Sequence, residues 1–386
     1  MKKITRRTFI KLSASGALAL GSGNFLLGCG KENSITEPNY SNQINATVAA
    51  VKGNNLDSMT RDVIEAIGGM DSIVMEGETV FIKPNFVSFT LAETRECFKN
   101  GECTKPEILI ATAEECLKAG AKEVIIGDGS QKITYDWKYS YTMDGRTNLV
   151  AEAARLSSLY PGNVSLSCLE ADYPGDYQIP SRTVHGTLLI SNIYKKVDRI
   201  ISIPVAKTHC WAQLTLALKN FIGVLSIREY GVLINNSYWD RGGGIDHSSV
   251  RILSQAFLDV VAAKIPSLTI IDFSIGMEGD GPTTGHGGRT VDVKNRLGSW
   301  LILASRDIMA ADATAARIMN HPVPNIKQLT MGYEMGLGEI HEEFIEMIGE
   351  KLSNIKMNWK AAVLKNTLEK KSAGNSMSEK FECIIH

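Results

Sequence analysis

Residues 79–83 (TVFIK), 106–119 (PEILIATAEECLKA) and 123–127 (EVIIG) decide the fold. The two short runs are dense in Val, Ile and Phe, which suits strands buried on both faces. Between them, Pro106 sits where a first helical residue tolerates the missing N–H, and apolar residues then recur at helical spacing. Thr104 and Glu107 have the spacing of a capping box for that helix. A strand, a helix and a second strand in this order is the pattern of a parallel crossover.

The same alternation extends in both directions. Strands are predicted at 46–51 (ATVAAV), near 164–169 and 186–190, and at 198–203, 268–273 and 300–304. Helices are predicted at 56–68, 146–158, 213–225, 249–263 and 307–319. This is the pattern of an α/β protein: a mostly parallel sheet with helices on both faces, a Rossmann-like layered sandwich in a single large domain. A split within the Pro/Gly/Tyr-rich stretch 160–185 is the alternative. The chain reads as four segments: 1–28, 29–43, a domain at 44–330, and a C-terminal helical extension at 331–386.

The 386 residues carry 41 Lys+Arg against 42 Asp+Glu, a formal charge of −1. That average hides two unlike parts. Residues 1–28 hold Lys2, Lys3, Arg6, Arg7 and Lys11 and no acid, so the remainder carries 36 basic against 42 acidic residues. A mildly acidic body argues against nucleic acid as a partner. The run Leu12–Leu27 is diluted by Ser and Gly and is too short to cross a bilayer.

The segment Thr5-Arg6-Arg7-Thr8-Phe9-Ile10-Lys11 resembles a twin-arginine export signal, and Leu26-Leu27-Gly28-Cys29 resembles a lipobox. The resemblance implies transport by the twin-arginine machinery, cleavage before Cys29 and acylation of its thiol. Residues 30–43 (GKENSITEPNYSNQ) are polar and aperiodic, as a tether should be. The expected location is the cell envelope, membrane-anchored through the lipid at Cys29, on the periplasmic or outer face of the cytoplasmic membrane.

Six further cysteines (97, 103, 116, 168, 210 and 383) fit neither zinc nor ferredoxin spacing, so an iron–sulfur cluster is not expected. Cys97 and Cys103 are close enough in sequence to pair, or to remain buried thiols.

Four polar segments fall at predicted strand ends, where ligands bind in open α/β sheets. Lys83-Pro84-Asn85 leaves one strand with Lys83 and Asn85 placed to face an anionic ligand. Asp128 lies between two glycines after another. Lys207-Thr208-His209 follows a third and runs into the predicted helix 213–225, on which Thr215 and Lys219 share a face beside Asn220. Apolar neighbours around Lys207 and Lys219 suit a desolvated, reactive amine, and His209 suits proton transfer, so these three are the catalytic candidates. Asp272 ends a fourth strand. With Glu278 and Asp280, in a loop with glycine at six of residues 276–288, it offers hard oxygen ligands for a divalent metal. Upstream, Gly242-Gly243-Gly244 precedes His247, and its backbone N–H groups are candidates for holding an anion.

Taken together, KPN (83–85), KTH (207–209), TxxxKNxxG (215–223), MEGDGPTTG (277–285) and ASRDIMAADATAARIM (304–319) resemble the DUF362 family over residues 45–320. The resemblance implies a shared domain without an established reaction. It marks Lys83, Asn85, Asp128, Lys207, His209, Thr215, Lys219, Asn220, His247, Asp272, Glu278 and Asp280 as the polar positions of interest. Some relatives carry iron–sulfur clusters, but the Cys runs that bind them are missing here. The expected function is an enzyme acting on an anionic small molecule. A small-molecule- or cofactor-binding lipoprotein, or an accessory of a redox system, is the alternative.

Overall fold

The computed structural model describes residues 44–365, apart from Asn235 and Ser237. Residues 1–43, on which the expected export signal, the lipidated Cys29 and the tether fall, lie outside the described residues, as do Cys383 and His386.

Fifteen strands are present among the described residues: β1 (Ala46–Gly53), β2 (Thr79–Pro84), β3 (Glu123–Asp128), β4 (Asn163–Cys168), β5 (Gly175–Pro180), β6 (Thr187–Ser191), β7 (Arg199–Ile203), β8 (Val205–His209), β9 (Gln213–Thr215), β10 (Val232–Ile234), β11 (Tyr238–Asp240), β12 (Leu268–Gly279), β13 (Gly288–Asp292), β14 (Trp300–Ser305) and β15 (Ile345–Gly349). The main sheet runs β15-β1-β14-β12-β7-β2-β3-β4. From β12 to β4 every neighbouring pair is parallel, and β14 is antiparallel to both β1 and β12. The result is a mixed, mostly parallel sheet in one α/β domain, as the alternation predicts.

Period-2 alternation builds a core on each face. Phe81, Ile125, Ile200, Ile271 and Leu303 pack on one side with the helices Val250–Ala263 and Ile308–Ile318. Val80, Ile82, Val124, Ile126, Ile201, Ile270 and Ile302 pack on the other with the helices Leu56–Ala66, Pro106–Lys118 and Leu149–Leu159. With both faces covered, β2 is buried along its whole length. Among the described residues no helix is long and apolar enough to cross a membrane.

Three local expectations are corrected, and the alternative of a split domain is set aside. Thr104 and Glu107 do not form a capping box: Thr104 Oγ1 donates to Ile203 O (2.6 Å) and accepts from Asn85 N (3.0 Å), while Glu107 accepts from Met143 N (2.6 Å). The predicted helix 213–225 is instead strand β9 followed by a 3₁₀ turn at Lys219–Val224. The boundary near 160–185 is not a domain split, since the β5–β6 hairpin packs within the same compact unit. The described part of the C-terminal extension is not simply helical. It holds β15, parallel to β1 at the sheet edge, and an extended run after the one-turn helix Leu352–Ile355.

Candidate functional site

Three lysines, Lys83, Lys105 and Lys207, have no exposed surface. A buried ammonium is costly unless a charge or a full set of acceptors compensates it. The three are compensated differently, and the differences locate the site.

Lys83 lies one residue before the end of β2, with its Nζ 2.5 Å from Asp128 Oδ1 at the end of the adjacent parallel strand β3. It also donates to Pro84 O (2.8 Å) and Asn220 Oδ1 (3.3 Å), while Phe86 N–H donates to Asp128 Oδ2 (2.8 Å). Asn220 Nδ2 returns a bond to Lys83 O (2.9 Å). Burial pushes the Lys83 ammonium toward deprotonation and Asp128 opposes it. Gly223 closes over this pair, since a Cβ there would lie 2.2 Å from Asp128 Oδ1 and 2.7 Å from Lys83 Nζ. Lys83, Asp128 and Asn220 therefore form a sealed interior network, not the ligand-facing set expected from the sequence.

Lys105, which sequence reasoning missed, pairs with Asp272 (3.2 Å) and donates to Ile275 O. Asp272 also accepts from Ser274 N (2.8 Å) and Ser274 Oγ (2.5 Å). Glu278 is held by Arg296 and by Lys360 N–H (2.9 Å each), and Asp280 accepts from Val363 N–H (2.7 Å). The metal set of Asp272, Glu278 and Asp280 is therefore corrected. Each carboxylate has its own protein partners, and no metal-holding group of His, Cys, Asp or Glu is present among the described residues. Three of the six glycines of 276–288, Gly276, Gly281 and Gly288, are packed against the chain itself. A Cβ at Gly276 or Gly281 would meet the chain's own carbonyls, Ala206 O or Thr208 O, at 2.3 Å.

Lys207 has no carboxylate partner. Its Nζ donates to Glu102 O (2.7 Å) and Asn85 Oδ1 (3.1 Å), and burial pushes its pKa down to about 8. Glu102 itself is engaged by Arg95, Ser88 Oγ and Thr284. In the β8–β9 hairpin Lys207 stands opposite Thr215 and His209 opposite Gln213, so period 2 puts all four side chains on one face. Thr215 Oγ1 is buried and has no hydrogen-bond partner. Lys219 follows at the start of the 3₁₀ turn. Its half-buried side chain makes no hydrogen bond or ion pair among the described residues, and desolvation, then the nearby Lys207, lower its pKa to about 7.

What places Lys219 is a buried carboxylate within the 304–319 motif, one that the sequence reading did not single out. Asp312, on the helix Ile308–Ile318, accepts from Ala217 N (2.8 Å) and Leu218 N (2.9 Å). These bonds hold the backbone in a tight turn where propensity alone predicts helix. Burial raises the Asp312 pKa to about 7, against the pull of those two N–H groups.

Trp211, at the hairpin tip, gathers three histidines edge to face: His209 (5.9 Å), His247 (6.1 Å) and His286 (5.5 Å between ring centroids). Trp211 N–H donates to His209 Nδ1 (3.1 Å), so the neutral ring carries its proton on Nε2. Burial, then Lys219 and His247, push the His209 pKa well below the usual histidine range. His209 is thus a neutral hydrogen-bond donor near pH 7. His247 Nδ1 lies 2.6 Å from Ile245 O, and His286 Nδ1 lies 2.8 Å from Thr283 Oγ1. The N–H groups of Gly243 and Gly244 bond to Asp240 O and Tyr230 O, so they are not free for an anion.

Of the predicted residues, Asn85, Lys207, His209, Thr215, Lys219 and His247 converge at the carboxyl end of the parallel strands. Trp211 and His286, both in segments singled out in the sequence, belong with them. A cavity of about 490 Å³ lined by Arg182, Arg251, Gln255, Met331 and Met335 lies apart from this cluster.

The fold and this cluster define an α/β domain with a basic, histidine-rich site at its strand ends. The model of a domain of unknown function, DUF362, matches residues 80–317, more than half of the chain, and the chain belongs to that family. A thylakoid-associated protein of Synechocystis sp. is 23% identical over 300 residues, covering 78% of this chain and 81% of that one. Among solved structures, the lactate racemase apoprotein of Thermoanaerobacterium thermosaccharolyticum is similar over 60% of this chain and 51% of its own (TM-score 0.30, 10% identity). A Thermotoga maritima protein is similar over 59% and 52% (TM-score 0.30, 13% identity). The chain spans about half the length of each of these two.

Proposed function

We propose that the Lys207–His209–Lys219 cluster binds an anionic small molecule and exchanges a proton with it, making the protein an enzyme. The observation that carries this reading is a mismatch. Among the described residues neither Lys207 nor Lys219 has a carboxylate at ion-pair distance, although Asp240 faces Lys219, and Lys207 stands opposite a buried Thr215 hydroxyl that has no hydrogen bond. An anion would meet the unbalanced charge of both amines and the orphaned hydroxyl at once. Lys219, with its pKa near 7, is the group suited to proton transfer at neutral pH. His209 donates from Nε2 and polarises the ligand. Asn85 holds Lys207 from behind, and His247 borders the ligand.

We further propose that the chain is exported by the twin-arginine machinery and tied to a membrane through an acylated Cys29. The sequence motifs at 5–11 and 26–29 support this, and the name of the thylakoid-associated relative is in keeping with a membrane-side location. The mildly acidic body does not favour nucleic acid as a partner.

The test is ligand identification by mass spectrometry on protein from its own host, followed by turnover assays of Lys219→Ala and His209→Ala. Loss of turnover in both, with the fold retained, is expected. Full turnover in both sinks the proposal. A small molecule that co-purifies and leaves unchanged would favour the binding-lipoprotein alternative.

A further inference from the structure

Residues 356–365 form a largely extended strap that reaches the candidate site. Met357 N–H donates to Ile318 O (2.6 Å) and Trp359 N–H to Met319 O (3.2 Å), while the Trp359 ring packs edge-on against Phe273 at 5.9 Å. The strap then follows the β12–β13 hairpin. Gly279 N–H donates to Lys360 O, Lys360 N–H to Glu278 Oε2 (2.9 Å each) and Val363 N–H to Asp280 Oδ1 (2.7 Å). Finally Lys365 N–H donates to Cys210 O (2.9 Å), and Lys365 Nζ lies 4.9 Å from the centre of the Trp211 ring. Glu278 and Asp280, read from the sequence as metal ligands, are thus the anchors of this strap.

We infer that Lys365 is a ligand-binding residue of the cluster, delivered by the strap, and that the site takes a ligand with at least two negative charges. This rests on the anion-binding reading above and names its substrate class. Lys207 lies on the Trp211 hairpin itself, Lys219 in the 3₁₀ turn that follows it, and Lys365 reaches Trp211 from the distant strap. Glu102, the nearest fully buried carboxylate, already has Arg95, Ser88 and Thr284 on its oxygens. Asp240 is the other carboxylate facing Lys219 and His286. A monoanion would leave positive charge uncompensated, whereas a di- or polyanion would balance it. Trp211 gives the Lys365 ammonium a resting place against an aromatic face when no ligand holds it.

The test is calorimetric titration of the full mature chain with acetate, inorganic phosphate, pyrophosphate and citrate. The wild type is expected to bind pyrophosphate or citrate more tightly than acetate. Lys365→Met should weaken the multiply charged ligands about tenfold, the value of one charge-assisted contact, and change acetate by less than about twofold. Asp280→Ala, which frees the strap while leaving Lys365 in place, should give a similar selective loss, and Lys365→Arg should restore binding. If Lys219→Met loses anion binding while Lys365→Met and Asp280→Ala keep wild-type affinity for pyrophosphate and citrate, the inference fails and the anion site stands. If Lys219→Met also binds normally, or no anion of the panel binds the wild type, the anion-site reading fails and takes the inference with it.

Discussion

Lys83 Nζ and Asp128 Oδ1 lie 2.5 Å apart at the ends of adjacent parallel strands, both side chains almost wholly buried, with Gly223 against the pair. Removing one partner strands the other charge in the interior. Lys83→Met should therefore cost about 3–5 kcal/mol, and Lys83→Met with Asp128→Leu distinctly less than either single change suggests. Gly223→Ala should cost about 1–3 kcal/mol, because the added Cβ must displace the pair. Urea unfolding of the four variants checks this. Equal stability of the single and double variants would mean that the pair is not the unit described.

The depressed pKa values of Lys207 and Lys219 make stability depend on pH in a definite direction. Their folded values, about 8 and about 7, lie below the unfolded value of about 10.4. Between those limits the unfolded chain binds more protons, so stability rises as pH increases from about 7 toward 10. Lys207→Met should flatten that rise, by at most about 1.4 kcal/mol per pH unit for one group. Urea midpoints at pH 7, 8 and 9 measure it, and parallel curves for wild type and variant would contradict it.

Anion binding should oppose that titration. A bound anion favours the ammonium forms, so binding near pH 8 takes up protons and affinity falls as pH rises further. Calorimetry in buffers of different ionisation enthalpy reads the proton count directly, and zero uptake would remove the lysines from the binding reaction.

Asp312 accepts two backbone N–H groups from the turn that positions Lys219. Asn offers one acceptor oxygen, so Asp312→Asn leaves a buried N–H without a partner and should cost about 1–3 kcal/mol. It should also weaken anion binding more than Thr215→Val does, because it moves Lys219 itself. Thermal unfolding with a pyrophosphate titration tests both parts. A stable variant with unchanged affinity would show that the turn holds without the carboxylate.

Acylation of Cys29 predicts that protein from the native host partitions into detergent and carries an N-terminal peptide heavier by its acyl chains. Cys29→Ala should abolish both while leaving the body folded. Mass spectrometry of that peptide decides it.

Much of the site was legible because strand ends are local. Apolar runs end at Lys83, Asp128 and Ile203, and polar residues placed just beyond them face the carboxyl edge of any parallel sheet these runs form. Lys207 and His209 were found that way, Lys219 from the face of a helix that the structure replaces with a turn, and His247 from a Gly-rich loop. Trp211 was missed, although it lies two residues from His209, because an aromatic residue at a hairpin tip has no periodic signature. Lys105 and Asp312 were missed for a different reason. Each looks like an ordinary charged residue at a helix start or on a helix until the fold buries it.

Short-range pattern thus determined the α/β class, the alternation of the main strands and helices and the polar strand ends, because each depends on residues a few positions apart. Only the tertiary structure decided which charges are sealed and which are available. Lys83 has Asp128 as its partner, Lys105 has Asp272, and Lys207 has none, although all three are equally buried lysines. Glu278 and Asp280 likewise became strap anchors, not metal ligands, because residues 360–363 return to them from about 80 positions away. Pairing of charges over such separations is set by chain topology, which local spacing does not encode.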